Sequence, residues 1–408
     1  MCVPRIASSR LLLAAALIAA CLPGSAQTPL SYGQQREAAI AFQQRGDLAQ
    51  AQSAWQTILR SHPADADASA NLGVIASQQQ HYPEAVRYYR RAYAIKPSMP
   101  GLQMNLGLAL FKAGDMKEAA RVFLSLYRRA PPDSPDAQRL RLLIGMSDYG
   151  SAQYAAAVPF LRDAMARDPQ NLPYRLVLAH SCLWAKQYQC VLDVYHQILA
   201  LNSESAEADM LAGEAYDEMR DYEDAIQQFR NAVRADPKVP GVHFGLGYLL
   251  WTQSQYEEAA EQFRLEVENQ PSDAESIAYW ADSNVRLNRA DLARPLVERA
   301  LKFSTRQEMP WLDLGILDAQ AGNNDAAFRD FQTAEKIAPS DVQVHWRLAR
   351  LYQSIGKRAQ AQAEFAKTKT LTQAADQSLR EKMQAKQSDD TQSDIHSGTT
   401  TPQSTNQP

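Results

Sequence analysis

A thirty-four-residue period dominates this 408-residue chain and leaves little freedom in what it can fold into. Pro237 closes one unit. The same phase carries Pro271, Thr305, Pro339 and Gln373 downstream, Ser203 and Pro169 upstream, and then, after a shift of four residues, Pro131, Pro97 and Pro63. Self-similarity at a period of twenty to fifty residues is the mark of an array of stacked supersecondary units and overrides any element-by-element reading. Ten copies are present.

Each copy needs two helices in close contact. Twenty-four residues before the closing position stand Ala39, Gly73, Gly107, Gly145, Ala179, Gly213, Gly247, Ala281, Gly315 and Ala349, all small. Glycine inside a helix costs about 1 kcal/mol against alanine, so its recurrence at one phase calls for a crossing too tight for a larger side chain. Twelve residues before the closing position come Ala51, Ala85, Ala119, Ala157, Val191, Ala225, Ala259, Ala293, Ala327 and Ala361. One helical turn further, on the same face, come Trp55, Tyr89, Phe123, Leu161, Tyr195, Phe229, Phe263, Val297, Phe331 and Phe365. The small positions admit close approach, and the large ones fill the space beyond.

This pattern resembles the tetratricopeptide repeat over residues 32–375. The resemblance implies an all-α fold, a right-handed α-solenoid of about ten helix pairs with a C-terminal capping helix over Asp376–Lys386. Seven of the ten closing positions are proline, which ends the preceding helix. Ser203, Thr305 and Gln373 depart from that rule, and Asn284 stands where Tyr216 and Tyr352 supply an aromatic. Less regular geometry is expected in those copies.

Outside the repeats, residues 1–26 read as a secretory signal peptide: Arg5 and Arg10, an apolar run over Leu11–Ala20, then small residues up to Ala26. The run is about half the roughly twenty residues that a spanning helix requires. Ile18-Ala19-Ala20-Cys21 also resembles a lipobox, so lipidation at Cys21 competes with cleavage after Ala26; either route places the repeats in an extracytoplasmic compartment, periplasmic or secreted in one case, an outer-membrane lipoprotein in the other. The four-residue shift falls at 134–137, where Ser134 and Pro135 read as an N-cap and first helical residue. One extra turn there lengthens a helix or marks a domain boundary. Residues 387–408, rich in Ser, Thr, Gln, Asp and Pro, read as a disordered tail.

No constellation for catalysis, cofactor binding or metal binding emerges. The seven histidines include no pair at the i, i+4 spacing of a helical metal site. Gly145–Gly150 is one residue too long for a nucleophile elbow, and Gly356-Lys357 lacks the upstream glycine and following hydroxyl of a phosphate loop. Arg87, Arg90 and Arg91 among Tyr88 and Tyr89 read as a solvated helix face, and a net charge of -4 argues against nucleic acid. Cys182 and Cys190 either form a disulfide between the two helices of one copy or pack as thiols.

Protein binding is what the resemblance implies, and it places the partner on the first helices, at the residues three before the small one and one and four after it. That assigns a groove to Met104, Leu108 and Phe111, to Leu142, Met146 and Tyr149, to Leu176, His180 and Leu183, and to Phe244, Tyr248 and Trp251. Methionine and aromatic side chains suit an adaptable peptide groove. Glu214, Asp217 and Asp282 lie between these stripes, so a segment with apolar anchors and a basic residue fits best. The family's carboxylate clamp of Asn and Lys is not matched, and recognition of an acidic C-terminal peptide is not expected. The chain reads as an exported, non-enzymatic scaffold for assembling envelope or secretion and export machinery; an accessory subunit acting in trans on an envelope enzyme or glycan-synthesis complex is the alternative. Membrane association is expected only through a lipid anchor at Cys21.

Overall fold

A computed structural model describes residues 30–168, 170–201 and 205–397. The leader, Cys21 and residues 398–408 lie outside the described residues. Every regular element among them is a helix, and the helices divide into two units, up to Arg129 and from Ala130 onward. The four-residue shift in the period falls immediately after that division.

The first unit holds three helix pairs: α1 (Tyr32–Gln44) with α2 (Leu48–Ser61), α3 (Ala66–Gln78) with α4 (Tyr82–Ile95), and α5 (Leu102–Ala113) with α6 (Met116–Tyr127). Seven pairs make up the second. They are α7 (Pro135–Gly150) with α8 (Tyr154–Arg167), α9 (Leu172–Trp184) with α10 (Tyr188–Leu201), α11 (Ala206–Glu218) with α12 (Tyr222–Ala235), and α13 (Val242–Thr252) with α14 (Tyr256–Asn269). Then come α15 (Ala274–Arg286) with α16 (Ala290–Phe303), α17 (Glu308–Gln320) with α18 (Asn324–Ile337), and α19 (Val342–Ser354) with α20 (Arg358–Ser397). Each unit is an all-α helical repeat solenoid.

The small residues sit where the helices cross. All ten are buried, and at five glycines a Cβ would collide with the large residue sixteen positions on, with Tyr89 at Gly73, Phe123 at Gly107, Leu161 at Gly145, Phe229 at Gly213 and Phe331 at Gly315, while at Gly247 it would press more mildly on Phe263 at 3.0 Å. Of the large residues only Phe365, on the last helix, is left half-exposed. No further first helix follows it among the described residues.

Every first helix ends the same way. The residues Gly46, Gln80, Gly114, Ala152, Lys186, Arg220, Ser254, Asn288, Gly322 and Gly356 all have left-handed φ, between 53° and 87°. The next N–H reaches back to the carbonyl five residues earlier, as Asp47 does to Phe42 and Gln187 to Cys182, which is the Schellman closure. Six of the ten lack glycine at a position that favours it. Arginines on the second helices tie neighbouring pairs twenty-eight residues apart: Arg90 to Glu118 at 2.6 Å, Arg230 to Glu258 at 2.8 Å, Arg91 to the Pro63 carbonyl at 2.7 Å and Arg299 to the Pro271 carbonyl at 2.6 Å. Arg90 and Arg91 are therefore bound within the chain.

Three sequence expectations meet the structure here. Ser134 caps α7 by accepting from the Ala137 N–H at 3.1 Å, and α7 runs 16 residues where most first helices run 13. Pro159 and Pro295 lie inside α8 and α16 without ending them. The C-terminal reading needs correction. No separate capping helix spans Asp376–Lys386, and residues 387–397, expected to be disordered, are helical: α20 continues unbroken for 40 residues. Gln373 holds the closing position where seven other copies have proline, and no Pro or Gly occurs between Arg358 and Ser397 to stop the helix.

Candidate interaction surface

Within the first unit, Met104, Leu108 and Phe111 lie partly exposed along α5. The other nine groove residues belong to the second unit. Leu142, Met146, Tyr149 and Leu176 are half-buried against the core formed by α8 to α11, and His180 Nε2 faces Glu207 Oε1 at 3.3 Å. Leu183 departs from its assigned place. It is 8% exposed and packs into that same core; Trp184, one residue on, presents the accessible apolar surface at 64% exposure and stacks on Tyr154 with ring centroids 6.0 Å apart.

Between α9, α10 and α11 lies a cavity of about 210 Å³, lined by Leu183, Trp184, Lys186, Tyr188 and the carboxylates of Glu214, Asp217 and Glu218, three acids to one base. Desolvation in this wall raises the Glu214 and Asp217 carboxyls, and Glu218 adds its charge to both effects. Beneath it, Cys182 and Cys190 are joined as a disulfide across α9 and α10, with Cα atoms 5.8 Å apart.

Phe244, Tyr248 and Trp251 are brought together on α13, each one helical turn from the next, with ring centroids 6.2 Å and 6.4 Å apart. The position of α13 is fixed by a carboxylate from its partner helix: buried Glu266 of α14 accepts from the N–H groups of Gly241, His243 and Phe244 at 2.9, 3.2 and 3.2 Å. Those are first-turn donors that a helix leaves unpaired. Tyr279 of α15 completes the patch, its ring meeting Phe244, Tyr248 and Trp251 edge-on at 5.7, 5.7 and 5.2 Å. Burial, with Tyr248 next, pushes its phenol up to about 12. Sequence reasoning missed Tyr279 because it sits two residues before Ala281, outside the three assigned phases. Tyr248 is the most accessible of the four, at 37% exposure.

Asp282 does not make this face acidic. It is buried, accepting from Trp251 Nε1 and Arg286 Nε at 2.6 Å each, and the Arg286 guanidinium lies 4.9 Å from the Trp251 ring centre. A charge so paired is spent on fixing the Trp251 indole. Among the described residues one group of potential metal ligands gathers elsewhere, Glu335, His345 and Glu364, but Lys367 Nζ stands 3.4 and 2.9 Å from the two carboxylates and supplies the positive charge itself. Among the described residues no helix is long and apolar enough to cross a membrane.

Comparison with known proteins agrees with the repeat geometry. One tetratricopeptide repeat family matches residues 36–100, 192–237 and 210–274, and a second matches 76–144. Cellulose synthase operon protein C of Xanthomonas axonopodis pv. citri (strain 306) is 26% identical over 382 residues, covering 84% of this chain and 25% of its own length. Anaphase-promoting complex subunit 3 of Schizosaccharomyces pombe is 19% identical over 294 residues, 72% of this chain and 44% of its own. The chain thus spans less than half the length of either relative. A solved structure described as YrrB, a TPR protein with an unusual peptide-binding site, matches 45% of this chain and 95% of its own at 20% identity and a TM-score of 0.41.

Proposed function

We infer, because the chain is a tetratricopeptide repeat protein, that it acts as a scaffold that holds segments of other proteins against its first helices and carries out no chemistry of its own. The observation that carries this reading is the aromatic patch of Phe244, Tyr248, Trp251 and Tyr279, built on two first helices and locked by Glu266 and Asp282. Rigid aromatic rings with an accessible face bind at low entropic cost, and interface energy concentrates in such residues. The bound segment is extended or helical, with apolar anchors for the patch and a basic residue for the carboxylates of Glu214, Asp217 and Glu218.

The scaffold is exported and serves envelope or secretion machinery. That part rests on the leader-like residues 1–26 and on the cysteine pair bonded across α9 and α10. A second reading is favoured by the relative that covers 84% of this chain and is named for a cellulose synthase operon: an accessory subunit acting in trans on a glycan-synthesis complex.

Affinity capture from the native envelope decides between them, with the wild-type chain compared against Phe244→Ala/Tyr248→Ala/Trp251→Ala after circular dichroism confirms that the variant is folded. Loss of a specific partner in the variant supports the patch. Undiminished capture removes it. Fractionation with an antibody places the protein, and a cytoplasmic location would end the envelope reading.

A further inference from the structure

The helices α15, α17 and α19 enclose polar groups that the aromatic patch leaves unused. Asp313 of α17 is fully buried, and neither carboxylate oxygen meets a hydrogen-bond donor. Glu308 Oε1 and Gln307 Oε1, at the start of the same helix, and Arg347 Nε, on α19, are likewise buried without a partner. Native proteins satisfy nearly all such atoms, so a concentration of exceptions in one place asks for a cause. Four of these five atoms are acceptors. What completes the set must donate.

Charge points the same way. The groups acting on one another here are the carboxyls of Asp282, Glu308, Asp313 and Asp341 and the guanidiniums of Arg286, Arg347 and Arg350. Four acids against three bases leave one positive charge missing when all are ionised. Protons fill that gap when nothing else does: burial and the neighbouring Asp282 hold the Asp313 carboxyl well above the usual range, and burial pushes Glu308 up to about 7. A buried carboxylate is otherwise too costly to leave bare.

We propose that this cluster receives one cationic side chain, an arginine or lysine of the bound segment, which donates to Asp313 and Glu308 while neighbouring apolar residues of the segment lie on Tyr248 and Trp251. The proposal rests on the peptide-binding reading of the patch and deepens it. Trp251 links the two: its indole N–H donates to Asp282, and Asp282 is the carboxylate whose charge acts on Asp313. Gln307, Glu308 and Arg347 are partly exposed, so the cluster opens to solvent on their side. On binding, the incoming cation takes the place of the proton on the Asp313 carboxyl, which leaves to buffer.

The test uses the full chain and a short labelled peptide with leucine and phenylalanine anchors flanking one arginine, against the same peptide with citrulline. Fluorescence anisotropy gives the affinities, and calorimetry in two buffers of different ionisation enthalpy counts protons. The arginine peptide is expected to bind about tenfold tighter, with proton release and with affinity rising as pH rises. Asp313→Asn, which keeps the side chain's size and removes its charge, is expected to fold normally and bind both peptides alike. An arginine preference that persists in Asp313→Asn overturns the assignment. Equal binding of both peptides by the wild type, lost in Tyr248→Ala/Trp251→Ala, overturns the cation receptor and leaves the patch standing. Failure of both peptides to bind overturns both readings.

Discussion

Replacing Gly213 of α11 by alanine sets two effects of similar size against each other. Alanine gains about 1 kcal/mol of helix propensity. Its Cβ, however, would lie 2.6 and 2.7 Å from Cδ2 and Cε2 of Phe229 and 3.3 Å from the Ala225 carbonyl oxygen. The ring has nowhere to go, because on α13 a Cβ at Gly245 would stand 2.2 Å from Cε1 of the same Phe229. Phe229 is 3% exposed and fills a slot between two glycines. Overpacking such a site costs about 1–3 kcal/mol, so Gly213→Ala is expected to come out destabilised by about 1 kcal/mol even after the propensity gain. Gly247→Ala meets Phe263 at 3.0–3.2 Å, a milder contact, and should fall near wild type. Gly33→Ala on α1 meets nothing within 4 Å and should gain a few tenths of a kcal/mol. Thermal and urea unfolding followed by circular dichroism ranks the three, with hydrogen exchange read at α11 and α12 because a lesion in a repeat array is felt mainly by its neighbours. Gly213→Ala melting at or above wild type would refute the slot.

Glu266→Ala removes a buried carboxylate from three N–H groups at the start of α13 and from Gln270 at 2.6 Å, and should cost about 3 kcal/mol, visible as early exchange of α13 amides; normal protection there would dismiss the cap. Reduction of the Cys182–Cys190 link should lower the stability of the second unit by about 2 kcal/mol, and alkylation of the denatured, unreduced protein followed by peptide mass spectrometry should find Cys182 and Cys190 unlabelled. The pH dependence follows from Glu308, raised by burial from 4.5 to about 7, and from Asp330, raised to about 6 by burial and its hydrogen bond with Asp318. The native state holds these protons where the unfolded chain has lost them. The contribution of these two groups to stability should therefore fall as pH rises from about 4.5 to about 7, and Glu308→Gln should flatten part of the slope. An unchanged slope in the variant contradicts the assignment.

The tight crossings were legible because glycine at one phase has a single physical cause, and Gly213 and Phe229 sit where that cause puts them. Other features carried no such signal. Lys186 adopts a φ of 58° without any mark of it in its side chain; only its register with Gly46, Gly114, Gly322 and Gly356 betrays the turn. Leu183 and Trp184 are adjacent apolar residues, and which of them faces the core depends on small rotations of α9 that a repeat period does not encode. Asp282 looked like surface charge because its partners, Trp251 and Arg286, are set by packing between α13 and α15. The cluster around Asp313 was invisible for the same reason: its phase holds Glu37, Asn71, Asn105 and Arg347 in other copies and apolar residues in the rest, and whether an acid there is buried is a property of three helices together.

The turns between paired helices have a further consequence. Five consecutive ones, at Ala152, Lys186, Arg220, Ser254 and Asn288, hold a side chain in the left-handed region at about 1 kcal/mol each, together comparable to the net stability of a small domain. Glycine relieves the last two pairs and, in the first unit, the first and third. The strained turns are thus gathered over α7–α16, the stretch that also carries the aromatic patch and the acidic cavity. Lys186 belongs to both sets, for it closes α9 and also lines the acidic cavity, so at that copy a change in the turn is a change in what the frame can grip.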